Sequence, residues 1–563
     1  MDKQYMIIDG IEVTIEGERN VLELARKAGI DIPAFCYDPE LSIYGACRMC
    51  MVENERGSLE ASCSMLPKAG AVIKTNTAKL RKYRKMILEL LLANHCRDCT
   101  ICPKSGNCKL QEFAYKFNIT DVRFPNNSCQ LGSQDKSSVS IVRDSSKCIL
   151  CGKCVRMCAE VQNVGAIDYA YRGSKKKIAT AFDGPIANSP CVGCGQCAAV
   201  CPVGAIVVKD DADKVWDAIG DKNTYVDVQV APAVRVALGK ELGLEEGTPL
   251  MGKLVTALKE VGFDAVYDTS FGADMTVLEE ANEFVGRLSG NGKLPMFTSC
   301  CPAWIRFAEN KYPEFLSNIS TCRSPMQMFA PVLKEAYKGD KKHVHVAIMP
   351  CTAKKFEGKR DEFKDKDGNP YVDYVLTTQE VIRMIKEAGI DFKALEDSAC
   401  DNPFEEITGA GVIFGVTGGV TEAVLRYASS DKSEKALEEI TYTGVRGFEG
   451  VKEATVKIGD KDVKIAVVSG LNNTSVLLDK IKSGDVYYDL VEVMSCPGGC
   501  VNGGGQPQAE REARHYRADG LYKADGVEVK KSSEQNTAVV KLLASMDEHK
   551  KHEILHVHYK GNK

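Results

Sequence analysis

The sequence predicts a multidomain chain, α+β in its cysteine-dense N-terminal part and α/β in the larger remainder. Three observations carry that expectation. A length of 563 residues is too much for one hydrophobic core and corresponds to about three to five domains. Cysteine is dense before residue 210 and sparse after Tyr225. Beyond Tyr225, strand-like runs such as Tyr225–Val230 and His343–Met349 alternate with stretches of helical period, the pattern of strands joined by helices.

The elements follow in order. Two alternating runs between Met6 and Ile15 are interrupted by Asp9-Gly10, which predicts a tight hairpin. Asn20 to Gly29 has helical periodicity with a glycine stop, so residues 1–78 read as a small mixed domain. One amphipathic helix is expected over Ala78–Ala93, leading into a cysteine-rich loop, Asn94 to Cys108, and residues 79–125 form a second small unit. A third, 138–209, contains an internal repeat, and a linking helix over Asp210–Gly220 opens the α/β domain, 210–563.

With 27% charged and 44% apolar residues, the composition is that of a folded globular protein. Lys+Arg 73 against Asp+Glu 77 leaves a net charge of -4, which gives no electrostatic reason for a nucleic-acid or membrane-surface partner. No apolar run reaches the roughly 18 to 20 residues that span a bilayer, and Met1–Gly10 lacks the layout of an export signal. A cytoplasmic location is expected. In that setting the 24 cysteines are read as metal thiolates rather than disulfides. Neither G-x-G-x-x-G nor G-x4-G-K-[ST] occurs, so electrons are expected to come from another protein.

Cys36, Cys47, Cys50 and Cys63 are spaced C-x10-C-x2-C-x12-C. The first gap is longer than in the plant-type ferredoxin rule, and paired thiolates suit zinc as well as a two-iron cluster. The small residues of Gly45-Ala46-Cys47-Arg48-Met49-Cys50 favour the cluster, because backbone N–H groups can approach its sulfurs. His95, Cys99, Cys102 and Cys108 form H-x3-C-x2-C-x5-C, which admits zinc or a four-iron cluster. The repeat is the most specific signal. Cys148, Cys151, Cys154 and Cys158, then Cys191, Cys194, Cys197 and Cys201, each follow C-x2-C-x2-C-x3-C. In two-cluster ferredoxins the fourth cysteine of each run serves the other cluster. Cys201 is therefore grouped with the first three, and Cys158 with Cys191, Cys194 and Cys197. Four clusters in succession would make an electron relay.

Three segments concentrate what remains: Thr298-Ser-Cys-Cys-Pro-Ala-Trp304, Met349-Pro-Cys-Thr-Ala-Lys-Lys-Phe-Glu357 and Glu492-Val-Met-Ser-Cys-Pro-Gly-Gly-Cys-Val-Asn-Gly-Gly-Gly-Gln-Pro507. They resemble the three signature motifs of [FeFe]-hydrogenases, TSCCPxW, MPCxxKxxE and ExMxCxxGCxxGGGQP, at every fixed position. The domain order is similar to that of the large monomeric clostridial type, and the N-terminal part alone is also similar to the large iron-sulfur subunit of NADH:quinone oxidoreductases.

The resemblance implies an N-terminal β-grasp ferredoxin-like domain with one 2Fe-2S cluster, a His/Cys3 domain, a two-cluster bacterial ferredoxin-like domain and a large α/β catalytic domain. It implies three accessory 4Fe-4S clusters and an H-cluster, a four-iron cubane with a two-iron subsite carrying CO, CN and azadithiolate ligands. By it, Cys301, Cys351, Cys496 and Cys500 hold the cubane, and Cys500 also bridges to the subsite. Met349 and Met494 line the subsite, Lys354 donates to a cyanide with Glu357 beside it, and Ala231, Pro232 and Ala233 lie where the family contacts the other cyanide. Alanine at 233 removes any side-chain hydrogen bond there.

Cys300 resembles the family's proton-relay thiol, with a free pKa near ~8.5 suited to reversible transfer. Glu280, Glu283 and Arg287 lie at i, i+3 and i+7, on one face if the segment is helical. A solvated charged face is the ordinary explanation of that spacing. The family's exit path instead orders Cys300, Glu280, Ser320, Glu283, Arg287 and bulk water. The activity implied is reversible reduction of protons to H2, with ferredoxin or another low-potential carrier as electron partner and maturation proteins to build the subsite. Competing readings are a relay subunit without hydrogen chemistry, a hydrogen sensor, the catalytic subunit of a bifurcating complex and a non-catalytic iron-sulfur assembly protein. Cys96, Cys129, Cys322 and Cys400 are left without a cluster, and the tail histidines His549, His552, His556 and His558 are expected to pack or to be solvated.

Overall fold

A computed structural model describes residues 4–126, 134–428, 446–458, 461–509 and 512–561; Cys129 lies outside them. The chain divides into two compact units. One comprises Met1–Val161, Gly165–Ser189 and Val200–Val207, the other Gln162–Val164, Pro190–Ala199 and Val208–Lys563.

In the first unit, β1 (Tyr5–Ile8) and β2 (Ile11–Thr14) form the expected hairpin, with Asp9 and Gly10 both at positive φ. The Asn20 side chain caps α1 (Val21–Lys27) by accepting from the Glu23 N–H at 3.0 Å. With β3 (Met51–Asn54), β4 (Leu59–Ala61) and β5 (Val72–Lys74), the sheet order is β2-β1-β5-β3-β4, and β1 and β5 run parallel. Met6, Ile8, Leu22, Leu24 and Val52 fill its core. Thr77 caps α2 (Ala78–Ala93), which spans the residues its periodicity predicted. Buried Arg84 ties that helix to the sheet, donating to the Met49 and Met51 carbonyls at 3.2 and 2.8 Å. After α3 (Lys109–Lys116), the strands β6 (Gln134–Asp135), β7 (Ile141–Asp144) and β10 (Ile206–Val208) make a small sheet, while β8 (Asp168–Ala170) pairs with β9 (Lys177–Ala179).

The second unit is the α/β part. One sheet is wholly parallel, in the order β12 (Ala265–Asp268), β11 (Thr224–Val230), β14 (Lys342–Met349), β15 (Tyr374–Thr377). A second runs β13 (Met296–Phe297), β18 (Leu490–Met494), β17 (Lys461–Ser469), β16 (Val451–Ile458), with only β16 antiparallel. The parallel strands β12 and β18 are buried throughout, as strands covered on both faces must be, while the antiparallel edge strand β16 is exposed at alternate residues. The linking helix is observed over Ala212–Gly220. The cysteine run from Pro190 to Ala199, expected within 138–209, packs with this unit, and Val192 belongs to its core.

The helix Thr269–Leu288 is capped by Asp268, whose carboxylate accepts from the Ser270 N–H at 2.8 Å and pairs with buried Arg235 at 2.7 Å. It packs on the helix Pro325–Ala336 at Gly272, where a Cβ would stand 2.6 Å from the Pro325 carbonyl oxygen and 2.9 Å from Phe329 Cβ. Glycine permits that approach, and the first helix carries Glu280, Glu283 and Arg287 along its remaining length. Gly272→Ala should therefore force the two helices apart and cost about 1–3 kcal/mol. Calorimetry of the anaerobic protein should show a lowered Tm; an unchanged Tm would contradict the close approach.

Candidate active site

Loops leaving the C-terminal ends of parallel strands build the site, as is general for open α/β sheets. Strand β11 delivers Ala231, Pro232 and Ala233, and β13 delivers Thr298 to Cys301. Strand β14 ends at Met349 and β18 at Met494, so Cys351 and Cys496 each follow two residues later. These segments line a cavity with about 800 Å³ free of protein atoms, walled by Cys300, Cys301, Cys351, Cys496, Cys500, Lys354, Met349 and Met494. The structure thus brings together the cysteines of all three motifs.

Other motif positions hold the loops in place. Trp304 is fully buried and donates Nε1–H to the Thr298 carbonyl at 3.2 Å. Glu492 is buried and accepts the Gly418 and Thr421 N–H groups at 2.6 and 2.8 Å. The consecutive glycines are required by crowding: a Cβ at Gly503 would meet the Pro350 carbonyl oxygen at 2.2 Å, and one at Gly504 the Cys194 carbonyl oxygen at 2.3 Å. Gln506 Nε2 donates to the Ala233 carbonyl at 2.8 Å, so that backbone, with no hydroxyl at 233, is held from behind.

The donor set fits a metal cluster. Burial raises the thiols of Cys301, Cys351, Cys496 and Cys500, Cys351 to about 11, and for the last three the neighbouring thiols add to the rise. Lys354 is the cation that opposes it at Cys301, Cys351 and Cys500. Four thiolates in so dry a space need more positive charge than one ammonium, and metal ions bound to them supply it. Lys354 Nζ donates to Glu357 Oε2 at 2.7 Å and to the Cys300 carbonyl at 3.2 Å. Burial pulls its pKa down, but the Glu357 carboxylate holds it above the ordinary value. This is a buried pair at the cavity wall, 11% and 2% exposed at the side chains, and not a surface ion pair.

The structure revises the reading of Cys300. Burial, then the nearby Glu280, pushes its thiol well above the ordinary value, away from the near-neutral range expected of a free thiol. Glu280 is fully buried, with no cation beside its carboxylate among the described residues and only the Ser320 side chain and the Ser299 backbone to oppose the rise of its pKa. Burial and the charge of Glu283 lift it to about 8. Ser320 Oγ donates to Glu283 Oε2 at 3.0 Å, and Arg287 Nη2 donates to Glu283 Oε1 at 2.5 Å. The face carrying these groups is therefore not a solvated one. Arg287 is itself 6% exposed and also donates to the Asn318 and Ile319 carbonyls, both at 2.9 Å.

Several of the N-terminal thiols lie near one another within each unit. Cys36 Sγ and Cys47 Sγ stand 3.4 Å apart, and Cys50 and Cys63 interact in the same way. Cys148, Cys151, Cys154 and Cys201 line one small cavity, with burial raising Cys148 to about 11 and Cys151 to about 12. Cys99 and Cys102 both influence Cys108. His95 is buried and lowered to about 4 by that burial, hence neutral, and its Nδ1 has no partner among the described residues; a metal ligand needs both properties. In the second unit, burial and the charges of Cys197 and Cys191 push Cys194 well up. Cys158, in the first unit, accepts from the Ala166 N–H at 3.4 Å. Cys96 contacts Asp98 at 3.3 Å, and burial raises Cys400 to about 12 beside Arg235 and Asp268.

Sequence reasoning missed several supports. Gln196 Nε2 donates to Cys496 Sγ at 3.2 Å and to the Asn502 carbonyl at 2.9 Å. Gln162 donates to the Ser495 carbonyl at 3.0 Å, and Thr352 Oγ1 to the Gly193 carbonyl at 2.7 Å. Buried Lys355 joins Asp211, Glu380 and the Val375 carbonyl at 2.8 to 2.9 Å. Only a polar residue inside a cysteine run, or a variable slot of a motif, could have pointed to them.

The raised Glu280 carboxyl has a consequence for stability. Its folded value of about 8 lies above the ordinary 4.5, so the folded state keeps a proton that the unfolded chain has already released. Stability then falls as pH rises between those values. Glu280→Gln cannot titrate, so its Tm should gain on that of the parent from about pH 6 to about pH 8. A constant difference across that window would refute the raised pKa.

Comparison with known proteins agrees with this geometry. Residues 224–504 match the family model "Iron only hydrogenase large subunit, C-terminal domain", and 511–562 match "Iron hydrogenase small subunit". Upstream, 6–78 match a 2Fe-2S cluster binding domain, 84–123 the NADH-ubiquinone oxidoreductase-G iron-sulfur binding region and 147–205 a 4Fe-4S dicluster domain. The chain is 41% identical to NADP-reducing hydrogenase subunit HndD of Solidesulfovibrio fructosivorans and 38% to iron hydrogenase 1 of Clostridium pasteurianum, over 99% of each chain in both cases. Its fold is similar to a solved variant of apo HydA1 from Chlamydomonas reinhardtii, with TM-score 0.53, 34% identity, and 62% of this chain and 98% of that one covered. With full-length relatives above 30% identity and a cavity that unites the three cysteine motifs, the chain belongs to the iron-only, or [FeFe], hydrogenase family.

Proposed function

We propose that this chain reversibly reduces protons to H2 at the cavity bounded by Cys301, Cys351, Cys496 and Cys500, with electrons passing through iron-sulfur clusters held by its N-terminal cysteines. The observation that carries this reading is the convergence of those four thiols with Cys300 and Lys354 on one buried cavity. In it, the H-cluster supplies the metal pair at which protons and electrons combine. Cys301, Cys351, Cys496 and Cys500 would hold its iron through their thiolates. Met349 and Met494 give the metal pair polarizable apolar walls that exclude water. Lys354, kept charged by Glu357, offers a charge-assisted hydrogen bond to an anionic ligand.

Cys300 holds the proton nearest the chemistry. A thiol with so high a pKa stays protonated until a better base or a change of charge in the cavity draws the proton off, which suits a donor. Glu280 is the next stop, with a pKa near the operating pH. Ser320 Oγ then links to Glu283, and Arg287 fixes the Glu283 carboxylate. In the relay, Cys36, Cys47, Cys50 and Cys63 hold a two-iron cluster, and His95 with Cys99, Cys102 and Cys108 hold a four-iron one. A further four-iron cluster takes Cys148, Cys151, Cys154 and Cys201, and Cys191, Cys194 and Cys197 supply ligands to another.

The electron partner is ferredoxin or a similar low-potential carrier. A second reading has a specific support: the full-length relative HndD is named as an NADP-reducing subunit. Since the sequence lacks a nucleotide-binding fingerprint, on that reading a partner chain handles the nicotinamide.

Anaerobically matured protein should evolve hydrogen from reduced methyl viologen, and Cys300→Ala should lose nearly all of that rate while keeping the carbonyl and cyanide infrared bands of the parent. Equal rates would remove Cys300 from the mechanism. Supplying reduced ferredoxin to the purified chain separates the two readings: hydrogen evolution at a rate comparable to that with methyl viologen supports direct donation, and no evolution favours donation through a partner chain. Gln196→Leu removes an N–H bond to a cubane sulfur, so the cubane potential should move to more negative values in an EPR-monitored redox titration; an unmoved potential would deny that bond any influence.

A further inference from the structure

We propose that Glu283, Cys322 and His556 bind a divalent transition-metal ion of the zinc class, and that the bound ion takes Glu283 out of proton transfer. The first clause stands on geometry alone; the second rests on the proton route proposed above. One ligand atom from each of the three residues lies within 4.8 Å of the others. Cys322 Sγ and Glu283 Oε2 are 3.8 Å apart. Zn–S of about 2.3 Å and Zn–O of about 2.1 Å at a tetrahedral angle put those two atoms about 3.6 Å apart, so this edge is already in place.

Glu283 divides its oxygens suitably. Arg287 grips Oε1, while Oε2 faces Ser320, Thr321 and Cys322. The Thr321 hydroxyl bridges the other two ligands, 3.0 Å from Glu283 Oε2 and 2.9 Å from His556 Nδ1, so an ion that meets both takes that oxygen as a further ligand or displaces it. A metal on Nδ1 leaves His556 Nε2 facing Glu279 Oε2 at 3.5 Å, the carboxylate support that metal-bound histidines commonly have.

The ligands are fixed before binding. Cys322 and His556 sit opposite each other in a backbone bridge, braced by Val557 N–H to the Thr321 carbonyl and Arg323 N–H to the Leu555 carbonyl, both at 2.7 Å. His556 is itself partly open to solvent, its side chain 19% exposed. His552 and His558 are exposed, with ring centroids 6.1 Å from His556 and 5.7 Å from each other, respectively for His552 with His556 and His552 with His558. Thiolate, imidazole and carboxylate together suit zinc over magnesium or calcium, and binding releases the Cys322 thiol proton to water.

The test uses the matured enzyme with all its clusters, washed with chelator and titrated anaerobically with Zn2+. The parent should retain one zinc more than Cys322→Ser after desalting, with a single sulfur at about 2.3 Å in zinc-edge X-ray absorption. Hydrogen evolution should fall at least about tenfold and recover with EDTA. Cys322→Ser and His556→Gln should keep the metal-free rate yet need about 10- to 100-fold more zinc for the same loss. Equal zinc retention and equal sensitivity in parent and variants would overturn the site. Zinc held with the one-sulfur signature at an unchanged rate would instead overturn the second clause, and with it the place of Glu283 in the route. Should Cys322→Ser fail to fold, His556→Gln alone decides.

Discussion

Parallel strand direction is the constraint on which the rest of this structure depends. Because β11, β13, β14 and β18 all run toward the cavity, each turns into a loop on reaching it, and each loop carries one part of the site. Antiparallel neighbours would send alternate loops to the opposite ends of the sheets. Cysteines nearly two hundred residues apart, such as Cys301 and Cys496, thus meet without any long excursion of the chain. The strands are rigid and buried, so the loops need to absorb little motion.

The same burial sets the electrical character of the cavity. Thiols, a carboxyl at Glu280 and an ammonium at Lys354 all feel a medium of low polarity, in which a lone charge is costly and a paired one is strong. Lys354 keeps its charge because Glu357 lies 2.7 Å away. Glu280 has no such partner and is pushed toward neutrality. Two groups on the same cavity side of the unit are therefore tuned in opposite directions by whether a counter-charge is present.

Much of this was legible in the residues themselves. The Asp9-Gly10 turn, the helix between Asn20 and Gly29, the helix over Ala78–Ala93 and the strands beginning near Tyr225 and His343 appear where local rules put them, because turns and periodicity act over a few residues. That thiols of one run lie near one another was legible because ligand spacing is itself a local property. What was not legible depends on contacts between distant segments. No local signal marks Gln196 as a donor to Cys496, Lys355 as the centre of a buried charge cluster, or Cys322 as the neighbour of both Glu283 and His556. The Cys300 thiol was misjudged for the same reason: its value in water is a property of the residue, but its value here belongs to the surroundings.

The stretch from Pro190 to Ala199 belongs to the large unit although it is separated from it in sequence. Val192 is part of the apolar packing around Trp304 and Phe297, and the Gly193 carbonyl receives the Thr352 hydroxyl. A shortened chain beginning at β11 would keep every motif cysteine but open a raw apolar seat, and the Thr352 hydroxyl would lose its bond to the Gly193 carbonyl. Truncation alone is therefore physically incomplete for this chain: the seat must also be covered or resurfaced with polar side chains before water can meet it without cost.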